Sequence, residues 1–189
     1  MSQSVDYDFK DPKEWRMWLE ENNSSQKEVW VIIQKKKSGI KGLKYDEAVE
    51  EAICYGWIDS KMQSIDTDRF RQRFSPRRKN SIWSKKNKET DEKMIRAGKM
   101  SEAGFKTINL AKENGKWDMA YSSKVAPTIP SDLTEALKKN ELAWRNFSKF
   151  SNSTRFQYVY WVTSAKKDET RRKRIVEVVK KATKNIRPS

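Results

Sequence analysis

RFRQRFSPRRKNSIWS, residues 69–84, holds five arginines, one lysine, two phenylalanines and one tryptophan. Side chains alternate between the two faces of a β-strand. A strand over the first half therefore separates two sets of side chains: Arg69, Arg71 and Arg73 on one face, and Phe70, Gln72 and Phe74 on the other. Like charges side by side on a sheet repel one another. This strand therefore needs either carboxylate neighbours, for which Asp59 and Asp66–Asp68 are available, or an anionic ligand.

The sequence around this strand predicts a small mixed or antiparallel sheet with packed helices. The β-branched run at residues 29–33 predicts a buried strand, and residues 57–64 and 67–75 predict two more, joined by a short turn. Apolar residues recur with helical spacing at 45–53. Helix-start signals stand at three further places: Asp11 with Pro12, Ser84, and Ser101, the last helix turning Phe105, Ile108 and Ala111 inward.

Residues 121–130 contain two prolines and no period, which predicts a linker. The pattern after it is helical throughout. The predicted apolar faces are Leu133, Ala136 and Leu137, then Ala143, Phe147 and Phe150, and in the last helix Ile175, Val178, Val179 and Ala182. Residues 153–165 are apolar nearly all round, which predicts a central buried helix, and Asp168 is the predicted cap of the last helix. We therefore predict the α+β fold class: an α+β domain over residues 1–120, a linker over 121–130, and an all-helical C-terminal module over 131–189.

Composition favours an anionic partner. The chain carries 41 Lys and Arg against 26 Asp and Glu, a net charge of +15. Such a surplus favours nucleic acid, phosphorylated metabolites or a membrane surface as partner; a solvated, lysine-rich surface is the simpler alternative. A single cysteine, Cys54, allows no intrachain disulfide. The first residues lack signal-peptide features, and no apolar run approaches the length of a membrane span. These features predict a cytoplasmic protein.

The residue types of most catalytic sites are missing. The chain has no histidine, which excludes Ser-His-Asp and Cys-His catalysis and His-ligated metals, and one cysteine is too few for a thiolate zinc site. Gly-rich phosphate-binding motifs are also absent. We assign no catalytic residue, metal or cofactor and expect a protein that is not an enzyme. An enzyme that uses Lys, Arg and carboxylates on a small anionic substrate is the alternative.

The candidate binding residues lie around the strand's end. Arg77 and Arg78 come shortly before Trp83 and Ser84 at a predicted helix start, where free N–H groups and a partial positive charge attract phosphate. Trp83 is able to stack on a base or ring, or it belongs to the core.

A second basic run occupies residues 171–174. Projection of the last helix's apolar face turns Arg171 and Arg172 toward the core side, at its rim. They either form salt bridges that hold the two parts of the chain together or close an anion-binding cleft between them.

Three clustered motifs and a tail resemble the YdeI/OmpD-associated family, from about Ala48 to Ala182. The motifs are EEAICYGWIDSKMQSID, RFSPRRKNSIWSKKN and GKMSEAGF, and the tail runs from PSDLTEALKKNELAWRNFSKF through RFQYVYWVTSAKKDETRRKRI. The resemblance implies a soluble protein linked to bacteriocin protection and stress, with no agreed enzymatic activity or cofactor. The sequence departs from the family pattern at Ser60, since the family usually has glycine after the WID motif.

The resemblance also implies which residues lie on the family pattern: Trp57, Asp59, Arg73, Phe74, Pro76, Arg77, Arg78, Trp83, Ser84, Asn87, Trp161, Lys166, Thr170, Arg171 and Arg174. From these we select as ligand-binding residues Arg73, Arg77, Arg78, Trp83, Ser84, Asn87, Arg171 and Arg174, with Trp57 and Asp59 as secondary ones. The hypothesis is a binding protein for nucleic acid or a phosphorylated molecule, with an interaction module for an acidic protein as the alternative.

Overall fold

The structure is a computed structural model that describes residues 6–188, and the chain divides into two units, residues 1–120 and 121–189. Both helices and strands are present in the first unit and helices alone in the second, so the α+β prediction is confirmed. The N-terminal unit contains β1 (Asp6–Tyr7), α1 (Pro12–Asn22), β2 (Val29–Gln34), α2 (Tyr45–Cys54), β3 (Trp57–Ser64), β4 (Arg69–Pro76), α3 (Lys85–Arg96) and α4 (Glu102–Glu113). The C-terminal unit contains α5 (Ser131–Lys138), α6 (Glu141–Lys149), α7 (Asn152–Thr163) and α8 (Asp168–Thr183).

The four strands form one mixed sheet in the order β1-β2-β4-β3. Strand β1 pairs with β2 in parallel, and the other two pairings are antiparallel. Strand β1 was not predicted, since two residues are too few to show an alternating pattern. The arginine-rich strand β4 lies inside the sheet, between β2 and β3, so both its backbone edges are hydrogen-bonded.

The alternation predicted for β4 is confirmed. Gln72 and Phe74 are buried on the face that meets the core, whereas the three arginines are partly exposed on the opposite face. The core on that side contains the buried side chains of helices α1 and α2 and of strands β2 and β3, among them Trp15, Leu19, Val31, Ile33, Ala52, Cys54 and Trp57. Burial raises the pKa of the Cys54 thiol to about 11, so this cysteine is protonated and packs as a small apolar residue.

The motifs that carry the family resemblance meet where α2 ends. The Cys54 carbonyl accepts hydrogen bonds from the backbone N–H and the hydroxyl of Ser101, at 3.1 and 2.6 Å. A Cβ on Gly104 would lie 2.4 Å from that carbonyl oxygen. The Gly56 carbonyl accepts from the N–H of Arg77, at 2.9 Å. The segments CYGW, SPRR and MSEAG thus build one backbone junction, which gives them a structural role.

The C-terminal unit is a four-helix cluster with its own core. The apolar faces predicted for α5, α6 and α8 are confirmed, since all of the following are buried: Leu133, Leu137, Ala143, Phe147, Phe150, Ile175, Val178 and Ala182. Residues 121–130 contain no helix or strand, and Tyr121 stacks on Phe156 with 4.5 Å between ring centroids.

Three local predictions are wrong. Phe105 is 41% exposed, because the face of α4 that packs inward holds Gly104, Ile108 and Ala111 instead. Helix α7 is not buried all round: Tyr158, Val159 and Val162 are buried, whereas Phe156, Tyr160 and Trp161 are half-buried. Helix α8 is preceded by Lys167 without a side-chain cap, and Asp168 is its first residue.

Ser60, where the family usually has glycine, causes no backbone strain, since its φ lies in the ordinary negative range and it belongs to β3.

Gly56 and Gly98 provide a matched test of the junction. Both have left-handed backbones, with φ of 72° and 67°, but only at Gly56 would a Cβ meet other atoms, 2.4 Å from Thr107 Oγ1. Gly98→Ala should cost about 1–2 kcal/mol of unfolding free energy from backbone strain alone, and Gly56→Ala about 1–3 kcal/mol more from overpacking. Urea unfolding followed by circular dichroism measures both; equal losses would contradict the close packing of α4 on Gly56.

Candidate functional site

Each arginine on the open face of β4 has a carboxylate of its own. Arg69 pairs with Asp66 at 2.9 Å, Arg71 with Asp6 at 3.0 Å, and Arg73 with Glu28. The Arg71 guanidinium also lies over the Trp30 ring, 4.7 Å from its centroid, and Arg73 donates to the Ser60 hydroxyl. The pairing offsets the repulsion between the three like charges, so no anionic ligand is needed to explain this face.

Arg77 and Trp83, which the sequence brought together as binding residues, are in contact. The Arg77 guanidinium lies over the Trp83 ring, 3.9 Å from its centroid, and donates to the Ile82 carbonyl. The Trp83 ring also meets Trp117 edge to face, and only 3% of Trp83 is exposed. The expected stacking surface is therefore covered, and Trp83 is a core residue of the N-terminal unit.

A buried carboxyl belongs to the same cluster. Asp91 of α3 is 2% exposed, and its Oδ2 has no hydrogen-bond partner among the described residues. Burial raises the pKa of this carboxyl, and the negative charge of Glu92 raises it further. The nearby positive charge of Arg77 lowers the pKa by less, so its value is about 7. The side chain is thus protonated in mildly acidic solution and ionised in mildly basic solution.

The start of α3 keeps part of its predicted character. The Ser84 hydroxyl accepts from the Asn87 N–H at 3.1 Å, as an N-cap does, which uses one of the free N–H groups proposed for phosphate. Arg78 is exposed and makes no hydrogen bond or ion pair with its side chain within residues 6–188. Arg78 is the one predicted site arginine that is open to a ligand in the described structure.

Trp57 and Asp59 have separate surroundings. Trp57 is 1% exposed, meets Trp18 edge to face, and donates from Nε1 to the Asn23 carbonyl. Asp59 lies near the free edge of the sheet, where its Oδ2 accepts from the Tyr45 hydroxyl at 2.7 Å.

The two predicted residues of the C-terminal unit also have partners inside that unit. Arg171 forms a two-pronged pair with Asp132 at 2.7 and 3.0 Å. Arg174 donates to the Trp161 carbonyl at 2.6 Å and lies over the Trp161 ring. The prediction that Arg171 points toward the core side is confirmed. The same prediction is wrong for Arg172, which is exposed on the outer face of α8.

Most of the chain's surplus charge lies in the C-terminal unit. Residues 121–189 hold 16 Lys and Arg against 6 Asp and Glu, a net charge of +10 out of +15. Within the described part of this unit, three ion pairs form: Arg171–Asp132, Lys173–Glu169 and Lys181–Glu177. Thirteen cations therefore have no carboxylate partner there. The net charge of the whole chain does not show this uneven distribution.

Part of this surplus positive charge is spaced along helix α8. Arg172 and Lys180 of α8 and Lys184, the residue that follows its last turn, are exposed; they lie eight and four positions apart, outside the buried face of Ile175, Val178 and Ala182. A rise of about 1.5 Å per residue spreads them over roughly 18 Å. We call these three residues the basic stripe. The spacing was available in the sequence, but only the buried face was used.

Cavities occur around the sheet and α3. One of about 560 Å³ is lined by Asp59 together with residues of β2, β4 and α2. Another of about 610 Å³ involves Gln34, Arg69 and Asp66, and two of about 250 and 240 Å³ lie along α3. Asp91 lines none of these four.

Residues 6–188 contain neither a membrane-spanning helix nor a cluster of metal ligands. None of their helices is both long enough and apolar enough to cross a membrane. No group of three or more Cys, Asp or Glu side chains is arranged to hold a metal ion in the same part of the chain.

Arg77 and Arg78 are neighbours with opposite expected roles. Arg77→Ala removes the cation over Trp83 and the positive charge near Asp91, so the unfolding free energy should fall by about 2 kcal/mol or more. Arg78→Ala removes an exposed side chain and should change it by less than about 0.5 kcal/mol. Thermal unfolding of both variants checks this; similar melting temperatures would show that Arg77 is not a structural residue.

Asp91 should give the stability a specific pH dependence. Its folded pKa of about 7 lies above the ordinary value of 3.8, so the folded state binds the extra proton and stability is lost as pH rises from about 4 to 7. The slope approaches about 1.4 kcal/mol per pH unit. Asp91→Asn removes this contribution, so the variant should gain stability relative to the unmodified protein between pH 5 and pH 8. The unfolding free energies of both proteins are measured by urea unfolding at each pH. A constant difference between them from pH 5 to pH 8 would contradict the raised pKa.

Comparisons with known proteins identify both parts of the chain. Residues 7–107 match the family model described as "Domain of unknown function (DUF8412)", and residues 126–185 match the one described as "Bacteriocin-protection, YdeI or OmpD-Associated". Searches of curated proteins and of solved structures gave no match. The resemblance inferred from the sequence is confirmed for the C-terminal residues, while the motifs between residues 48 and 105 fall within the other model. The chain thus belongs, through more than half its length, to the family DUF8412, and it carries a YdeI/OmpD-associated region at its C-terminal end.

Proposed function

We propose that the protein is a non-enzymatic, cytoplasmic binding protein for nucleic acid, and that the basic stripe on α8 makes the main contacts. The observation that carries the proposal is the charge of the C-terminal unit, +10 in 69 residues with three internal ion pairs in its described part. Bacteriocin protection, which is named in the description of the family model that matches this region, is the biological setting that we propose.

Exposed, unpaired lysines and arginines are what phosphate binding requires. Cations that release counterions from a nucleic acid provide most of its sequence-independent affinity. The arginines first selected from the sequence are poorer candidates, because Arg73, Arg77, Arg171 and Arg174 already have partners. Arg78 is exposed and is kept as a possible additional contact in the N-terminal unit.

The best supported alternative is an acidic protein partner. The basic stripe lies on the outer face of a helix, and an exposed helix face suits a protein surface as well as a phosphate backbone. An enzymatic role has less support, since the strongly desolvated carboxyl, Asp91, lines none of the four cavities and lies beside Arg77.

Fluorescence polarisation of labelled oligonucleotides tests the proposal. Single- and double-stranded 20-mers are titrated with the full chain between 50 and 200 mM salt. We expect log affinity to fall linearly with log salt. The double variant Arg172→Ala/Lys180→Ala should bind more weakly, and for single strands its salt slope should be smaller by about 1.4 for two lost phosphate contacts.

A matched control separates the stripe from net charge. Lys27→Ala/Lys106→Ala removes two exposed cations of the N-terminal unit and should bind like the unmodified protein. Equal losses of affinity in the two double variants would show that overall charge determines binding. That result would contradict a specific role for the basic stripe. Absence of salt-sensitive binding by the unmodified protein would overturn nucleic acid as the ligand and favour the acidic protein.

A further inference from the structure

Asp59 of β3 is a half-buried carboxylate without a cation of its own. Its Oδ2 accepts a hydrogen bond from the Tyr45 hydroxyl at 2.7 Å, and it forms no ion pair within residues 6–188. Burial, together with the charge of Asp59, holds the pKa of Tyr45 above its usual range, so the hydroxyl remains a donor. The second oxygen, Oδ1, has no hydrogen-bond partner in this part of the chain.

Gln72 of β4 offers a second acceptor at the same cavity. Its side chain is 3% exposed, and glutamine is seldom buried to that extent. The Nε2 atom donates to the carbonyls of Lys61 and Arg73 at 3.1 and 3.4 Å, which fixes the orientation of the amide. The Oε1 atom has no hydrogen-bond partner among the described residues and is not sealed from solvent, so it is open to a donor from a ligand.

The register of the sheet places Asp59 and Gln72 on one face. In the antiparallel pairing of β3 with β4, Asp59 lies opposite Phe74, and Met62 lies opposite Gln72. Residues that lie directly opposite each other share a face, and so do residues two apart on one strand. Diagonal neighbours of this kind are roughly 7–8 Å apart, so one ligand group with several donors is able to reach both oxygens.

Aromatic and apolar side chains supply much of the remaining lining of this cavity, which has a volume of about 560 Å³. The rings of Tyr45 and Phe70 lie on the same side of the sheet as Asp59, with 6.3 Å between their centroids. Met62 is 64% exposed and forms part of the rim. The volume is in the range of ligand sites.

The lysines around the cavity already have acceptors. Lys36 and Lys86 pair with Asp46 at 2.6 and 3.7 Å, and Lys35 donates to backbone carbonyls of the turn before β4. None of the three neutralises Asp59. The cavity therefore combines a negative group and a neutral acceptor with two aromatic rings, which favours a cation that has several N–H groups.

We infer that this cavity binds a guanidinium group, carried either by a free alkylguanidine or by an arginine side chain of a peptide. The planar fork of a guanidinium has five N–H donors, enough for Asp59 Oδ1 and Gln72 Oε1 together. Its flat faces stack on aromatic rings, here those of Tyr45 and Phe70, and its alkyl stem leaves past Met62. The inference concerns the N-terminal unit and does not rest on the basic stripe.

Ligand-observed NMR titration of the full chain with n-butylguanidine tests this inference. We expect saturable binding, and binding of the uncharged isostere n-butylurea that is weaker by about tenfold or more, since the hydrogen bond to the carboxylate then loses its charge. Absence of saturable binding by n-butylguanidine, or equal binding of n-butylurea, would overturn the inference. The blocked peptide acetyl-Gly-Arg-Gly-amide distinguishes the two sources: tighter binding than n-butylguanidine favours a peptide, and weaker or equal binding favours a free alkylguanidine.

Asp59→Asn separates binding from folding, because asparagine keeps an oxygen for the Tyr45 hydroxyl but removes the charge. The affinity for n-butylguanidine should fall by about tenfold or more. Glu113→Gln, which removes the charge of an exposed carboxylate of α4 that lines none of the four cavities, should leave the affinity unchanged. Met62→Ala, at the exposed rim, should weaken binding without loss of melting temperature. Full affinity in a folded Asp59→Asn variant, or equal losses in Asp59→Asn and Glu113→Gln, would contradict the assignment.

Discussion

Three guanidinium groups lie side by side on the central strand of the sheet, and the N-terminal unit depends on giving each of them a negative partner. Asp66 comes from the turn before β4, Glu28 from the residue before β2, and Asp6 from β1. These pairs are partly exposed, and such pairs contribute at most about 1 kcal/mol each. Their main effect is to remove a repulsion that would otherwise oppose the pairing of β4 with both neighbours. The same pairing withdraws these arginines from ligand binding.

After β4, a positive charge is again placed beside a carboxyl group, but in a more buried environment. Arg77 covers Trp83 and lies near Asp91, so cation, ring and carboxyl form one buried cluster. A cluster of this kind looks functional in a sequence, because arginine, tryptophan and a helix start are what a phosphate site contains. Burial gives it a structural role. Most of the net positive charge lies instead in the C-terminal unit, which has 6 carboxylate side chains for 16 lysines and arginines.

The sequence predicted the alternation of β4, the caps of α1, α3 and α4, and the apolar faces of α5, α6 and α8, since each depends on local periodicity or on one capping residue. Partner choice across the fold could not be predicted: nothing local to Arg73 indicates Glu28, and nothing near Arg171 indicates Asp132. The sequence also placed Gln72 between two phenylalanines of the inward face, but it gave no sign of the partners that allow its burial, the carbonyls of Lys61 and Arg73.

The central claim is that the exposed cations of α8 bind an anionic ligand while the arginines of residues 69–77 stabilise the fold. The most direct measurement is residue-resolved NMR of the full chain during addition of a single-stranded oligonucleotide at low salt. We expect shift changes in the amide signals around Arg172, Lys180 and Lys184, with the signals of Arg73 and Arg77 unchanged. Changes concentrated at Arg73 and Arg77, with α8 silent, would contradict it.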